Sequence, residues 1–258
     1  MIAFEWYHWL IAAIGALAIG LGKTGVPGFG IFVVPGYALL IDDAVASAGW
    51  WLLPLLIAAD IFAVAYHRRH AQIPRLLELV PWVLVGMILG GVAMAGDRWW
   101  LHDTPWRSAG NILIGGIILT MVGLHVWRRR QRTSPISAGR GQAAGFGVAA
   151  GFTTFLANAA GPVMNLYFLA KRFPKEQLIG TGAWFFLVVN VSTVPFYAPL
   201  GLFSRQSLWF DLCLLPAVVL GAVIGRRIFA VLAQRVFAVI VLVFATLAAL
   251  ALIIRTVW

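Results

Sequence analysis

Gly20-Leu-Gly-Lys-Thr-Gly-Val-Pro-Gly-Phe-Gly30 sits in the middle of an apolar run that reaches roughly from Trp9 to Ile41. Five glycines and Pro27 within this stretch interrupt a helix, because proline lacks the N–H and crowds the preceding turn while each glycine weakens it. The run is some 30 residues long, about 45 Å as straight helix, which exceeds an untilted crossing of a hydrocarbon core about 30 Å thick. A second run of similar length, Gly141 to Ala170, is broken in the same way by Asn158-Ala-Ala-Gly-Pro162. The pieces flanking each break are expected to be too short to cross alone.

Working outward, six shorter apolar segments complete the chain: Ala44 to Tyr66, Leu79 to Ala95, Ser108 to Trp127, Leu178 to Leu200, Leu208 to Gly225 and Val236 to Ile254. The 258 residues are 62% hydrophobic and 11% charged, with a mean hydropathy of +0.92. An ordinary soluble domain carries about 25% charged residues, so a soluble fold is excluded. The net charge of +10 is spread between apolar segments and forms no stripe, so it reads as a topology signal and not as a nucleic-acid surface. Cys213 is the only cysteine, which rules out a disulfide framework or a cysteine metal site within one chain. Glu5 precedes the first apolar run without a basic region, so this run reads as the first membrane element and not as a signal peptide.

Loop charge separates two topologies. If all eight segments cross and the N-terminus is inside, ten Lys/Arg fall inside and eight outside, which is close to random. If the two broken segments return to the side they entered, fourteen fall inside, and only Arg98, Arg107, Arg205 and Arg255 remain outside. The excess of cytoplasmic basic residues in membrane proteins favours the second arrangement. The expected fold is thus an all-α polytopic membrane protein with both termini outside. It has two inverted repeats, each a broken, re-entrant helix pair plus three transmembrane helices, over residues 1–130 and 141–258 with a cytoplasmic linker at 131–140. A weak internal likeness agrees: Ala48-Gly-Trp-Trp51 corresponds to Thr181-Gly-Ala-Trp184, and Pro27-Gly-Phe-Gly30 to Ala160-Gly-Pro162, both at an offset of about 132 residues.

Backbone groups freed by a break cannot stay unpaired in lipid, so two breaks imply a protein-lined cavity. Pro27 and Pro162 stand where a second half-helix would start, and the N–H groups that follow them, with the helix dipole, suit an anion. The candidate substrate-binding residues are Lys23, Thr24, Gly25, Pro27, Gly28, Asn158, Gly161, Pro162, Asn165 and Trp184. Trp50 and Trp51 are further wall candidates. Glycines here serve either close approach of a ligand or tight helix packing. Lys23 lies inside a break, where a cation costs about 2.5–3.5 kcal/mol on insertion scales and needs a partner or a substrate. Snorkelling from a shallow tip is the alternative. Asp60 is the proton-coupling candidate, either paired with Lys23 or protonated, and a structural acid is the plainer reading. Asn190, Ser192 and Thr193 are further polar groups in the second half. His67-Arg-Arg-His70 and Arg128-Arg-Arg130 read as anchors at inner helix ends, and Trp99, Trp100 and Trp106 as an aromatic belt in an outer loop.

These residues also carry a resemblance. The chain resembles the TauE/SafE (TSUP) group of sulfite and organosulfonate exporters over nearly its full length. The likeness rests on Gly22-Lys-Thr-Gly-Val-Pro-Gly28 leading to Pro35, on Leu53-Pro-Leu-Leu56 with Asp60 and Tyr66-His-Arg-Arg-His70, and on Thr153 to Pro162 followed by Gly180-Thr-Gly-Ala-Trp-Phe-Phe186. The family's first motif is usually richer in consecutive glycines, and Lys23-Thr24 and Val26-Pro27 interrupt it here. The resemblance implies secondary transport of a small anion, such as sulfite, a small sulfonate or a carboxylate, across the bacterial inner membrane, linked to the proton gradient. A passive anion channel is the alternative. A membrane-embedded enzyme or assembly factor would need a nucleophile–base pair or a metal cluster, and the sequence offers neither. No G-x-x-x-x-G-K-[ST] motif occurs. The expected partners are a small anion and the lipid bilayer, with no cofactor, metal or nucleic acid and with homodimerisation left open.

Overall fold

A computed structural model describes residues 6–27, 33, 52–100, 115–127 except 117, 121 and 124, 140–157, 160–197 and 205–257. Every regular element among them is helical: α1 (Trp6–Thr24), α2 (Leu53–His67) with a 3-10 turn at Arg68–His70, α3 (Ile73–Trp100), α4 (Arg140–Ala157), α5 (Ala160–Ala170), α6 (Lys175–Tyr197), α7 (Arg205–Val231) and α8 (Gln234–Val257). Four carry stretches long and apolar enough to cross a bilayer: Ile73–Val92, Lys175–Pro195, Ser207–Val231 and Gln234–Ala251. Large apolar side chains such as Ile88, Leu212, Leu220 and Val239 are exposed on these helices, as suits contact with lipid. This is a multi-pass membrane protein.

Three element bounds differ from the sequence expectation. The piece before the first break has 19 residues, about 28 Å, and is not among the described helices that are long and apolar enough to cross. Counting from Trp9 misses that amphipathic Trp6, Tyr7 and His8 prolong the helix. Trp99 and Trp100 close α3 instead of lying in a loop, because neither Gly96 nor Asp97 ends the helix. Arg226 and Arg227 belong to α7, which runs on to Val231. The segment from Ala44 is helical from Leu53. Its earlier part, most of the segment from Ser108, and the linker residues 131–139 lie outside the described residues.

The chain divides into two compact units, Met1–Gln72 with Lys175–Phe237, and Ile73–Pro174 with Ala238–Trp258. In the first unit, α1 and α7 run parallel, since Trp9 meets Phe210 while Leu17 meets Gly221 and Thr24 meets Gly225. Both helices contribute glycines to the seam. A Cβ on Gly20 would run into the carbonyl of Val218, and one on Gly221 into the carbonyl of Leu17. Small residues four apart, Gly221 with Gly225 and Ala16 with Gly20, permit that approach.

Helix α2 runs the same way as α1. Ala12 and Ala16 share an apolar cluster with Leu52, Leu55, Phe210 and Leu214, and at the other end the carbonyl of Thr24 meets His67. Pro27 and Leu52 therefore lie toward opposite ends of the α1–α2–α7 bundle. Helix α6 runs against α2, with Gly180 beside His67 and Asn190 beside Asp60. Lys175 closes the end where α7 stops. Its ammonium donates to the carbonyls of Phe229 at 2.9 Å and Leu232 at 2.6 Å at the end of α7, where a basic side chain suits the helix terminus.

In the second unit, α3 and α4 also run parallel through a glycine seam. A Cβ on Gly151 would meet the carbonyl of Val83, one on Gly86 the carbonyl of Val148, and one on Gly147 the Cβ of Trp82 at 2.6 Å.

Candidate functional site

The first break is closed by the backbone before any side chain is needed. The N–H groups of Gly25 and Val26 both donate to the carbonyl of Leu21, at 2.9 and 3.1 Å, so α1 ends in a widened turn in which one carbonyl takes an i→i−4 and an i→i−5 bond. Two other carbonyls near this end are taken up by side chains. His67 Nε2–H donates to Thr24 O at 2.9 Å, which fixes the ring's tautomer. The Thr24 hydroxyl lies 2.9 Å from Gly20 O and 2.8 Å from Ala222 O, its one proton shared between them. The His67 ring stands edge-on to Phe229 at 5.1 Å.

Inside this turn lies a buried charge cluster. Lys23 Nζ is 2.7 Å from Asp60 Oδ1, with the lysine 18% exposed and the aspartate 0%. The second carboxylate oxygen accepts from Asn190 Nδ2 at 2.6 Å. The ammonium also sits over the Phe186 ring, 4.2 Å from its centroid, an attraction that strengthens when water is excluded. Three helices meet here: α1 supplies the cation, α2 the acid, and α6 the amide and the ring. Charge neutralisation inside the pair removes most of the cost of placing either group in the membrane. Both carboxylate oxygens are occupied, while the ammonium keeps part of its surface open and has three N–H donors to use.

The structure therefore realises one of the two states open to Asp60, the ion pair with Lys23. Other candidates in this unit have defined tasks. Gly25 is buried against the backbone of Gly225, so close approach at this position is to another helix. Pro27 is buried just beyond α1, and Trp184 is half-buried on α6. Gly28, Trp50 and Trp51 lie outside the described residues.

The second break belongs to the other unit. Helix α4 ends at Ala157 and α5 starts at Ala160, and Asn158 lies outside the described residues. Gly161 and Pro162 occupy the first turn of α5, half-buried, where the missing N–H of proline costs no hydrogen bond. A Cβ on Gly161 would meet nothing within 4 Å. This glycine is free of helix packing, unlike Gly25. Asn165, one turn on, is buried.

Two participants have no role that the sequence alone assigns: Phe186 under the ammonium and His67 at the end of α1. Away from this cluster, Asp211 is buried in α7, and an acid inside the run from Leu208 to Gly225 is itself a sequence signal.

A multi-pass chain, helical throughout its described elements, with a partly accessible ammonium at a helix break has the make-up of a membrane transporter. The chain belongs to the sulfite exporter TauE/SafE family, whose sequence model matches residues 10–252, nearly the whole length. It is a family of membrane transporters. No curated relative and no solved structure matches the chain.

Proposed function

We propose that this protein is a secondary carrier that exports a small oxyanion, sulfite or a small organosulfonate or carboxylate, across the bacterial inner membrane with proton coupling. The observation that carries this reading is Lys23, a partly accessible ammonium at the end of a helix inside the membrane, held by a carboxylate instead of being left bare. Asp60 stands in for a substrate anion: one oxygen faces the ammonium and the other the Asn190 amide. An oxyanion approaching Lys23 competes with Asp60, and a proton arriving at Asp60 releases the ammonium to the substrate. Anion and proton thereby become linked through a single ion pair.

The halves act as inverted repeats, with both termini outside. Support comes from the two glycine seams. Gly20 and Leu17 of α1 have counterparts 131 residues on, Gly151 and Val148 of α4, and Gly86 of α3 has its counterpart 135 residues on, Gly221 of α7. Each seam thus pairs the first helix of one half with a later helix of the other, as a two-fold exchange of the halves requires. The parallel course of α1 and α2 supports a first broken segment that returns to the side it entered. In the other unit, the first turn of α5 with Gly161 and Pro162, and Asn165 one turn on, is proposed as an anion-binding element of its own.

Flux of sulfite and sulfoacetate from proteoliposomes tests the proposal. Lys23→Ala is expected to lower flux at least about tenfold, the loss of about 1.4 kcal/mol of binding. Lys23→Arg keeps the charge and should retain part of the flux. Unchanged flux in Lys23→Ala would remove Lys23 from the site, and single-channel currents would replace the carrier with a channel.

A further inference from the structure

Asp211 is 3% exposed in the first third of α7, and neither of its carboxylate oxygens has a hydrogen-bond partner among the described residues. It lies on the packed face of the helix, in line with buried Ser207, Phe210, Leu214 and Val218. Of these, Phe210, Leu214 and Val218 meet the alanines of α1 and the leucines of α2 in one apolar cluster. The setting contrasts with Asp60, where a cation and an amide hold both oxygens.

The charged and titratable groups around it are few. On α7 itself the preceding one is Arg205, exposed. On α1, Tyr7 and His8 are stacked on each other at 4.2 Å, and Lys23 is committed to Asp60. On α2, Asp60 has that same pair and His67 donates to Thr24 O at the far end. Among the described residues none forms an ion pair with Asp211. Nor does Asp211 belong to the Lys23 site: the parallel course of α1 and α7 places it near the Trp9–Phe210 ring pair. Gly221, level with Leu17, is ten residues or about 15 Å further along α7.

Among the described residues this carboxyl has mostly apolar neighbours, a buried serine one turn away and no counter-charge, and such a group is carried as the neutral acid and ionises only when it gives up its proton. An asparagine or leucine would fill the position without that liability. We infer that Asp211 is a proton-binding site separate from the Lys23–Asp60 pair, a carboxyl that takes up and releases one proton from the side of the membrane on which α1 and α7 begin. The step is a protonation alone: carboxylate plus proton gives the acid, and no other reactant takes part.

The test uses the full chain in lipid nanodiscs and infrared difference spectra between near-neutral and alkaline buffer, a range in which ordinary carboxyls are ionised throughout and Asp60 is held by Lys23. Wild-type protein is expected to show the carbonyl band of a protonated carboxylic acid, which shifts in deuterated buffer and is lost on the alkaline side. Asp211→Asn should lack that band, and Asp60→Asn should keep it. Asp211→Glu should restore a displaced band, which keeps the test decisive if the asparagine variant folds poorly. A wild-type spectrum without the band, a band that survives in Asp211→Asn, or a band removed by sodium at constant pH would each overturn the assignment. The readout needs no substrate, so it fails or succeeds independently of the export reading.

Discussion

The α1–α7 and α3–α4 seams are built alike and equipped differently. Both are parallel helix pairs in which glycines let one backbone rest on another, and their contacts fall at matching offsets. What fills the position after the seam differs. Lys23 follows Gly20 by three residues in the first pair. The residue 131 further on is Thr154, buried, whose hydroxyl simply donates back to Ala150 O at 2.7 Å. Packing has been kept in both pairs while charge sits in one. Glycine seams therefore report on scaffold, and a functional site is better sought where the two pairs diverge.

The largest test of that comparison asks whether the seams really carry the fold. Gly20→Val and Gly151→Val each force a side chain into a neighbouring carbonyl, a clash with backbone that no rotamer change relieves and that costs well beyond the about 1–3 kcal/mol of ordinary overpacking. Both should lose most folded protein by size-exclusion chromatography and thermal unfolding, whereas Gly161→Ala, with open space around it, should leave folding unchanged. Equal behaviour of all three would break the parallel between the seams.

Next in size is the divergent position itself. Asp60→Ala leaves a buried ammonium and the Asn190 amide without their acceptor, and breaking a buried pair from one side costs about 3–5 kcal/mol. A marked drop in melting temperature is expected, with partial recovery in the double variant Lys23→Met, Asp60→Leu. If the double variant is no better than the single one, the pair is not the unit that the geometry describes.

The smallest effect should come from the counterpart in the second seam. Thr154→Val removes one hydroxyl bonded within its own helix, worth about 0.6 kcal/mol in membrane helices. Its melting temperature and flux should both stay near wild type. A loss of flux as deep as that of Lys23→Ala would mean that the seams share function as well as packing.

Much of this was legible in the chain itself. Membrane residence follows from composition, and the two interruptions follow from Gly20 to Gly30 and Asn158 to Pro162, because proline and clustered glycine act locally on a helix. Lys23 and Asp60 stood out for the same reason: a charge in an apolar run calls for a partner wherever the fold places it. Asn190 was one polar residue among several, and nothing local distinguished it from Ser192 or Thr193. Phe186 was an ordinary aromatic until Lys23 was seen above its ring.

The sequence by itself determined that the chain lives in a bilayer, where its helices break and which charges need neutralising, since these depend on composition and on neighbours a few residues away. Only the tertiary structure decided that Gly25 packs against Gly225 while Gly161 faces open space, that the Thr24 hydroxyl is spent on Gly20 and Ala222, and that Asp60 has a partner while Asp211 has none among the described residues. The pairings of Gly25 with Gly225, Thr24 with Ala222 and Asp60 with Asn190 span from 130 to two hundred positions, and hydropathy carries no record of them.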